Sequence, residues 1–496
     1  MITAYTAEDV RRAERPLLDA GVPLMQRAAA ALAARCLPLL RERAGTVPGS
    51  RVVLLVGPGS NGGDALFAGA HLARRGAAVT AVQTEAALHD AGAAALCRAG
   101  GCLHRARGAD EQTARLLGDA DLVVDGVLGI GGRPELSDEL AAILAAANAS
   151  PASVVAVDVP TGVDATTGEA ADDAVRAELT VTMGAVKAGL LLPGAAAHVG
   201  RVDLVDLGLA PHLPSEPAVR RLETEDVRAL WPVPGPADQK YSRGVVTIDA
   251  GSADFPGAGV LSASGAARAG AGMVRYRGPA AVRDMILARR PEVVGADGRH
   301  QAVVIGSGLS PEDPRCRRGV EELCAEDAVG VLDAGALSAI RPGDRLPSHV
   351  VLTPHAGEAA RLADALDLPS SLPPARLAGE LARATGATVL LKGEVTLVAD
   401  GDAPDRLYSQ AEATPWLGTA GTGDVLGGIL GTLLAAGLPG PLAAALAASV
   451  HGRAGVAASR GGTAPLVALD VAEHVPAVLT AILGGAITTV ASRGGA

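Results

Sequence analysis

Short apolar runs alternate along this chain with amphipathic or small-residue stretches, and glycine-rich turns separate them. Residues 51–56 read RVVLLV, with no polar side chain after the arginine, a pattern that predicts a strand buried on both faces. Residues 121–124, 153–157 and 179–183 repeat it, and helical patterns at 65–75 and 137–147 fall between the runs. Ahead of them, residues 7–43 predict amphipathic helices broken at Gly21-Val22-Pro23. The second half restarts the alternation, with strands expected at 245–248, 302–305, 329–332, 350–352 and 388–391. Small-residue helices are expected from Pro256 and across 425–437. Strands that alternate with helices build parallel sheets, so the fold class is α/β in two domains. Residues 208–239 are proline-rich apart from a helical stretch at 223–230, which places the boundary near 215–222 and the domains at 1–215 and 222–496.

At 496 residues the chain is too long for one core. Two Trp, four Tyr and two Phe leave the core to Ala, Val and Leu on closely packed elements. A net charge of −11 argues against nucleic acid or an anionic membrane as partner. Five cysteines without Cys-x-x-Cys spacing read as reduced and cytoplasmic, and the N-terminus lacks the apolar region of a signal peptide. Residues 425–450 are uncharged and long enough to raise a membrane span, but Gly437-Leu438-Pro439-Gly440-Pro441 divides them into two core helices. Among 43 basic residues only Lys187, Lys240 and Lys392 are lysines, which marks them as places where a compact ammonium is wanted.

In a parallel sheet, ligands sit at the carboxyl ends of strands. In the first half those ends deliver Asn61 and Asp64, then Asp125, then Asp158 and Thr161, then Lys187, each beside glycines. Gly57-x-Gly59-x-x-Gly62, with Glu85 further on, also satisfies a weak dinucleotide fingerprint, although Asp64 is awkward in a plain pyrophosphate cradle. In the second half, Gly421-Thr422-Gly423-Asp424 opens an apolar helix. Converging N–H groups at its positive end suit an anion, and Asp424 suits a base that takes a proton while those groups hold a transferring phosphoryl. Asp424 as a simple helix cap is the bland alternative. His451 lies in an Ala-rich helix and reads as packed.

Taken in order, these motifs resemble the bifunctional NAD(P)H-hydrate repair enzymes, which fuse an NAD(P)HX epimerase to an ADP-dependent NAD(P)HX dehydratase. The resemblance runs over nearly the whole chain, through Ser60-Asn61-Gly62-Gly63-Asp64, Asp125, residues 158–162, 240–244, 256–258, 306–309, 353–358, 392–396 and 420–428. It implies a Rossmann-like first domain and a ribokinase-like second one. It further implies that Ser60, Asn61, Gly62, Gly63 and Asp64, with Gly129, Ile130, Gly131, Gly132, Arg133, Pro134 and Glu135, embrace the hydrated dinucleotide. Asp158 contacts its nicotinamide as acid/base, and Asn61, Asp125 and Thr161 hold K+. In the second domain it implies Ala258, Gly308, His355 and Asp424 on NAD(P)HX, and Lys392, Gly393, Glu394, Val395, Thr396 and Gly423 on ADP carried with Mg2+. The chain departs from the family pattern at Ser60, Ala65 and Thr161, at Gln26 and Ala29, and at Gly335 where Asp is usual.

The implied chemistry explains the parts. Hydration at ring carbon six gives two epimeric alcohols; hydroxide is a poor leaving group and phosphate a good one. Phosphorylating that hydroxyl from ADP therefore needs a base, an anion hole and a metal on the phosphates. S-NAD(P)HX alone would be dehydrated, to NAD(P)H with AMP and phosphate, so an epimerase completes the repair. The expected partners are these small molecules, with no nucleic acid and no membrane, in a homo-oligomer. Three other readings stay open here: a small-molecule kinase, a first domain that only binds or assembles, and a Rossmann dehydrogenase.

Overall fold

The computed structural model describes residues 1–484; residues 485–496, the end of the expected second domain, lie outside the described residues. The chain forms two compact units, Thr3–Val219 and Arg220 onward, the latter taking in Met1 and Ile2.

In the first unit seven strands form one sheet: Arg51–Val56 (β1), Ala78–Gln83 (β2), Cys102–Arg105 (β3), Leu122–Gly126 (β4), Ser153–Val157 (β5), Leu179–Met183 (β6) and Arg201–Val205 (β7). Their order is β3-β2-β1-β4-β5-β6-β7, and every pair is parallel. Both faces are buried because side chains alternate along each strand. Val52, Leu54 and Val56 pack under the helices Leu24–Ala44 (α2), Ser60–Ala73 (α3) and Asp90–Arg98 (α4). Val53 and Leu55 face Glu111–Gly118 (α5) and Asp138–Asn148 (α6). An earlier helix, Ala7–Asp19 (α1), packs Val10 and Ala13 on Ala185 and Leu209. The order reverses at β1, which lies between β2 and β4, so the loops after β1 and β4 open side by side.

One boundary differs in a way that bears on function. The helix expected from residue 65 begins at Ser60, so Asp64 stands a turn inside it rather than at its start. Gly62 and Gly63, which read as a loop, are helical, and close packing requires glycine here: a Cβ on Gly62 would lie 2.1 Å from the Gly57 carbonyl oxygen, and one on Gly57, ahead of the helix, would lie 2.2 Å from that of Val127. They serve contacts within the protein, which weakens the plain pyrophosphate-cradle reading.

The second unit holds Val245–Asp249 (β8), Met273–Tyr276 (β9), Ala302–Ile305 (β10), Gly330–Leu332 (β11), Val350–Leu352 (β12), Thr388–Leu391 (β13), Thr396–Ala399 (β14) and Leu407–Gln410 (β15). They are ordered β9-β8-β10-β11-β12-β13-β14-β15, parallel through β13 and antiparallel for the last two. The apolar helix starts at Thr422, three residues earlier than expected, and ends at Ala435 (α13); Gly440–Ala458 (α14) follows. Small residues let α13 lie backbone to backbone on Pro256–Arg268 (α8): a Cβ on Gly428 would sit 2.1 Å from the Ser262 carbonyl, and one on Gly265 would sit 2.3 Å from that of Val425. Among the described residues no helix is long and apolar enough to cross a membrane.

Candidate active sites

At the carboxyl end of the first sheet, Asp158 follows β5 with φ at 68°, a left-handed conformation that strains any residue with a Cβ. Its surroundings fix it there. Its N–H donates to Val181 O at 2.8 Å, and its Oδ1 accepts from Met183 N–H at 2.9 Å and from the Thr182 hydroxyl at 3.3 Å. The Lys187 ammonium donates to the same oxygen and to Met183 O at 2.7 Å. Lys187 is only 1% exposed, so the ion pair with Asp158 offsets the burial of its charge.

Asn61, Asp125 and Thr161 meet beside this pair. Asn61 Nδ2 donates to Leu128 O at 2.9 Å and Val157 O at 2.8 Å. The Thr161 hydroxyl donates to Asp125 Oδ1 at 2.6 Å, its N–H donates to Oδ2 at 2.8 Å, and Leu128 N–H donates to its Oγ1 at 3.1 Å. Asp125 is fully buried, and burial pushes its carboxyl up to about 6 against the pull of those donors. A Cβ on Gly129 would lie 2.8 Å from Asn61 Oδ1, so the loop after β4 comes directly over the amide oxygen. The donors are all hard oxygens, a set that suits a hydrated or partly hydrated alkali cation.

The loop beyond Gly129 closes a tight turn, Gly132 N–H to Gly129 O at 2.7 Å, and Ile130 O accepts from Arg11 Nη2 at 2.8 Å. Helix α1 therefore borders the site, which the sequence patterns did not indicate. Glu14 lies one turn beyond Arg11; burial raises its carboxyl above the usual range, Lys187 opposes the shift, and the Asp158 charge adds to it. Asp64 is raised well above the usual range, first by burial, then by the Asp158 and Glu14 charges. Arg133 and Glu135 are exposed, and no hydrogen bond or ion pair among the described residues ties Arg133, Pro134 or Glu135 to this cluster. A concavity of about 590 Å³ in this unit opens at the opposite strand ends near Arg51 and Ala78 and touches none of these groups.

In the second unit the strand ends bring together Ser307, Asp333, Glu358, Lys392 and Asp424. Lys392 Nζ lies 3.0 Å from Asp333 Oδ1 and 3.8 Å from Glu358 Oε2. The Ser307 hydroxyl donates to Asp333 Oδ2 at 3.1 Å. Asp424 stands in the first turn of α13, and burial, with the Asp333 charge adding, pushes its carboxyl up to about 7. A Cβ on Gly423 would lie 3.4 Å from Lys392 Nζ, so the ammonium sits at the helix N-terminus. Gly421 caps that helix with φ at 89°. The Thr422 and Asp424 N–H groups are bonded to Thr419 O and Gly421 O, so the Thr422 N–H is engaged within the protein. His451, buried in α14, holds Thr422 O through Nε2 at 2.9 Å. Burial lowers that imidazole to about 4, so it is neutral and positions the helix start.

His355 caps the helix Ala356–Ala365, its Nδ1 accepting from Gly357 and Glu358 N–H at 3.0 and 3.3 Å. Its backbone bridges to Lys392, which leaves the exposed imidazole at the mouth of the cluster. Gly308 and Ala258 are in contact range, 2.6 Å from a Gly308 Cβ to that of Ala258. Val395 is buried while Gly393 and Glu394 are exposed, so this loop offers backbone rather than the Val395 side chain. At Gly335 a Cβ would lie 2.3 Å from the Leu309 carbonyl oxygen, so this backbone has no room for the Asp that the resemblance led us to expect. Among the described residues no three His, Cys, Asp or Glu side chains are arranged to hold a metal ion.

Comparison with known proteins supplies the context for both clusters. A family model described as YjeF-related protein N-terminus matches residues 22–189, and one described as NAD(P)H-hydrate dehydratase matches residues 246–476. The chain is 43% identical over 456 residues to a bifunctional NAD(P)H-hydrate repair enzyme of Mycobacterium tuberculosis H37Rv, covering 89% of this chain and 91% of that protein. To the enzyme of the same name in Mycobacterium leprae it is 41% identical over 494 residues, covering 96% and 99%. A solved structure, the ADP/ATP-dependent NAD(P)H-hydrate dehydratase of Bacillus subtilis co-crystallised with ATP and Mg2+, is 27% identical, covers 52% of this chain and 97% of that one, and has a TM-score of 0.46.

Proposed function

Because the chain belongs to the family of bifunctional NAD(P)H-hydrate repair enzymes, we propose that it restores hydrated NADH and NADPH, the first unit interconverting R- and S-NAD(P)HX and the second dehydrating the S epimer with ADP. The observation that carries the second activity is Asp424: a carboxyl raised to about 7, in the first turn of an apolar helix and beside an ammonium. Near neutral pH such a group can take the proton of the ring hydroxyl, while the Gly421 and Gly423 N–H groups and Lys392 face the phosphoryl being transferred. The ring nitrogen then expels phosphate to give an iminium, and loss of the proton from ring carbon five regenerates NAD(P)H, with AMP and phosphate as the other products.

In this reading Ala258, Gly308, His355 and Asp424 line the dinucleotide side, and residues 392–396 with Gly423 line the nucleotide side. Mg2+, when bound, would supply charge neutralisation on the phosphates, and Asp333 and Glu358, the carboxylates beside Lys392, would face it. In the first unit Asp158, oriented by Lys187, Met183 and Thr182, moves a proton at ring carbon six. Residues 60–64 and 129–135 flank the substrate. The oxygen donors of Asn61, Asp125 and Thr161 fit K+, which would hold the loops after β4 and β5 together.

A mixture of hydrate epimers with ADP and Mg2+ tests the proposal through the absorbance of the regenerated dihydronicotinamide. Both epimers should be consumed, and omission of nucleotide should stop the reaction. Recovery without nucleotide would refute the dehydratase assignment. Recovery that stalls once the S epimer is spent would refute the epimerase assignment.

A further inference from the structure

We propose that Asp64 is the second proton-transfer group of the epimerisation: its carboxyl serves the ring hydroxyl on one face of the hydrated nicotinamide, and Asp158 serves the other face. The inference rests on the epimerase reading of the first unit and adds the donor that the reading lacks. It begins from position. Asn61 and Asp64 are three residues apart on α3 and so share a helix face. Asn61 reaches Val157 O at 2.8 Å, and Asp158 is the next residue, so that face looks onto the end of β5.

Asp64 is 9% exposed, and its Oδ1 has no hydrogen-bond partner. A buried acceptor or donor left unmade costs about 1–3 kcal/mol, so a ligand hydroxyl is the natural partner for this atom. The groups that face it differ in kind. Asp158 and Glu14 disfavour its ionisation, and Lys187 favours it but is committed to Asp158 and Met183 O. From α2 the Met25 methyl approaches the neighbouring Gly63. From the α4 side His89 caps its own helix through Nδ1 and meets Phe67 edge to face. Burial and these charges thus favour the acid form of Asp64, while Asp158 forms the ion pair.

The two states complement each other. Asp64 gives its proton to the ring hydroxyl, the C–O bond breaks with a push from the ring nitrogen, and water leaves. Water adds to the opposite face of the resulting iminium, forming the new C–O bond, and its surplus proton passes to Asp158. The proton lost by Asp64 equals the one gained by Asp158, and exchange with solvent resets the pair. In this resting arrangement the site accepts the epimer whose hydroxyl lies toward Asp64.

Asp64→Asn in the full-length enzyme, assayed for epimer interconversion without ADP, is the test. The variant should lose about 10²–10⁴-fold in kcat, with KM within about threefold. The wild-type rate should fall at high pH as Asp64 ionises, and that alkaline limb should be missing from the residual activity of the variant. A variant within twofold of wild type overturns the proposal, and so does a slow variant that keeps the alkaline limb, because such a loss would be structural. If Asp64→Asn does not fold, Asp64→Glu keeps the carboxyl and must show an alkaline limb shifted from that of wild type; an unshifted limb overturns the proposal. Wild-type enzyme with no interconversion would instead refute the epimerase reading itself.

Discussion

Replacing Asp424 by asparagine should make the second unit catalytically poor and thermally stronger at once, because one buried carboxyl causes both effects. Its ionisation is pushed from the ordinary 3.8 to about 7, by burial first and the Asp333 charge second. Because the folded value is the raised one, the stability linked to this group is complete below about pH 4 and is lost as pH climbs through about 7. At 1.36 kcal/mol per pH unit, the wild type forgoes on the order of 4 kcal/mol at most by pH 8. Asparagine keeps the shape and cannot ionise, and since Lys392 loses a nearby negative charge the net gain should be smaller, roughly 1–3 kcal/mol. At about 2–4 °C per kcal/mol for a unit of this size, melting at pH 8 should rise by several degrees, and the gain should vanish toward pH 4. Activity should move the other way: loss of the base removes about 10²–10⁴-fold, or ~3–5 kcal/mol of barrier. Wild-type dehydration should climb with pH through about 7, the ionisation of Asp424, and level above it. Dehydration rates and melting curves from pH 5 to 8.5 measure both. Near-normal turnover in the variant, or a wild-type rate flat across that range, would refute the assignment of Asp424 as base.

Asp158→Ala should abolish epimer interconversion and leave dehydration of the S epimer intact; loss of dehydration instead would show that the roles of the two units are misassigned. Lys392→Arg should weaken ADP binding, because a planar guanidinium must replace a compact ammonium lodged 3.0 Å from Asp333 Oδ1 and against the Gly423 backbone. Titration of ADP decides this, and equal affinities and rates would refute it. Gly335→Asp, which restores the usual family residue, should destabilise the second unit by about 1–3 kcal/mol, because its Cβ would enter the Leu309 carbonyl; an unchanged melting temperature would count against that packing.

The apolar runs by themselves determined the strands. Residues 51–56, 153–157, 179–183, 302–305, 350–352 and 388–391 match observed strands end to end, because strands buried on both faces are predominantly apolar, with Thr180, Thr182 and Thr388 the buried polar exceptions. Strand ends carrying a polar residue likewise pointed to Asp125 and Asp158, since a parallel sheet gathers those ends at one edge, and the glycine-rich start of an apolar helix pointed to Asp424. Helix starts were less legible: the stretch at 60–64 reads as a loop from its glycines, yet it is helical because Gly62 must pass against the Gly57 carbonyl. What depends on distant partners lay outside the sequence pattern altogether. Asp424 as a neutral-pH base needs Asp333 from a strand end and the burial it acquires at the start of α13. Glu14 sits in an ordinary amphipathic helix and acquires its place only because α1 packs on Ala185 and Leu209. Asp64 could be read as a polar turn residue; its missing hydrogen-bond partner and the carboxylates around it exist only once three separate segments have folded together. A chain pattern encodes which faces are buried, whereas the ionisation of a side chain is set by the groups that folding brings against it.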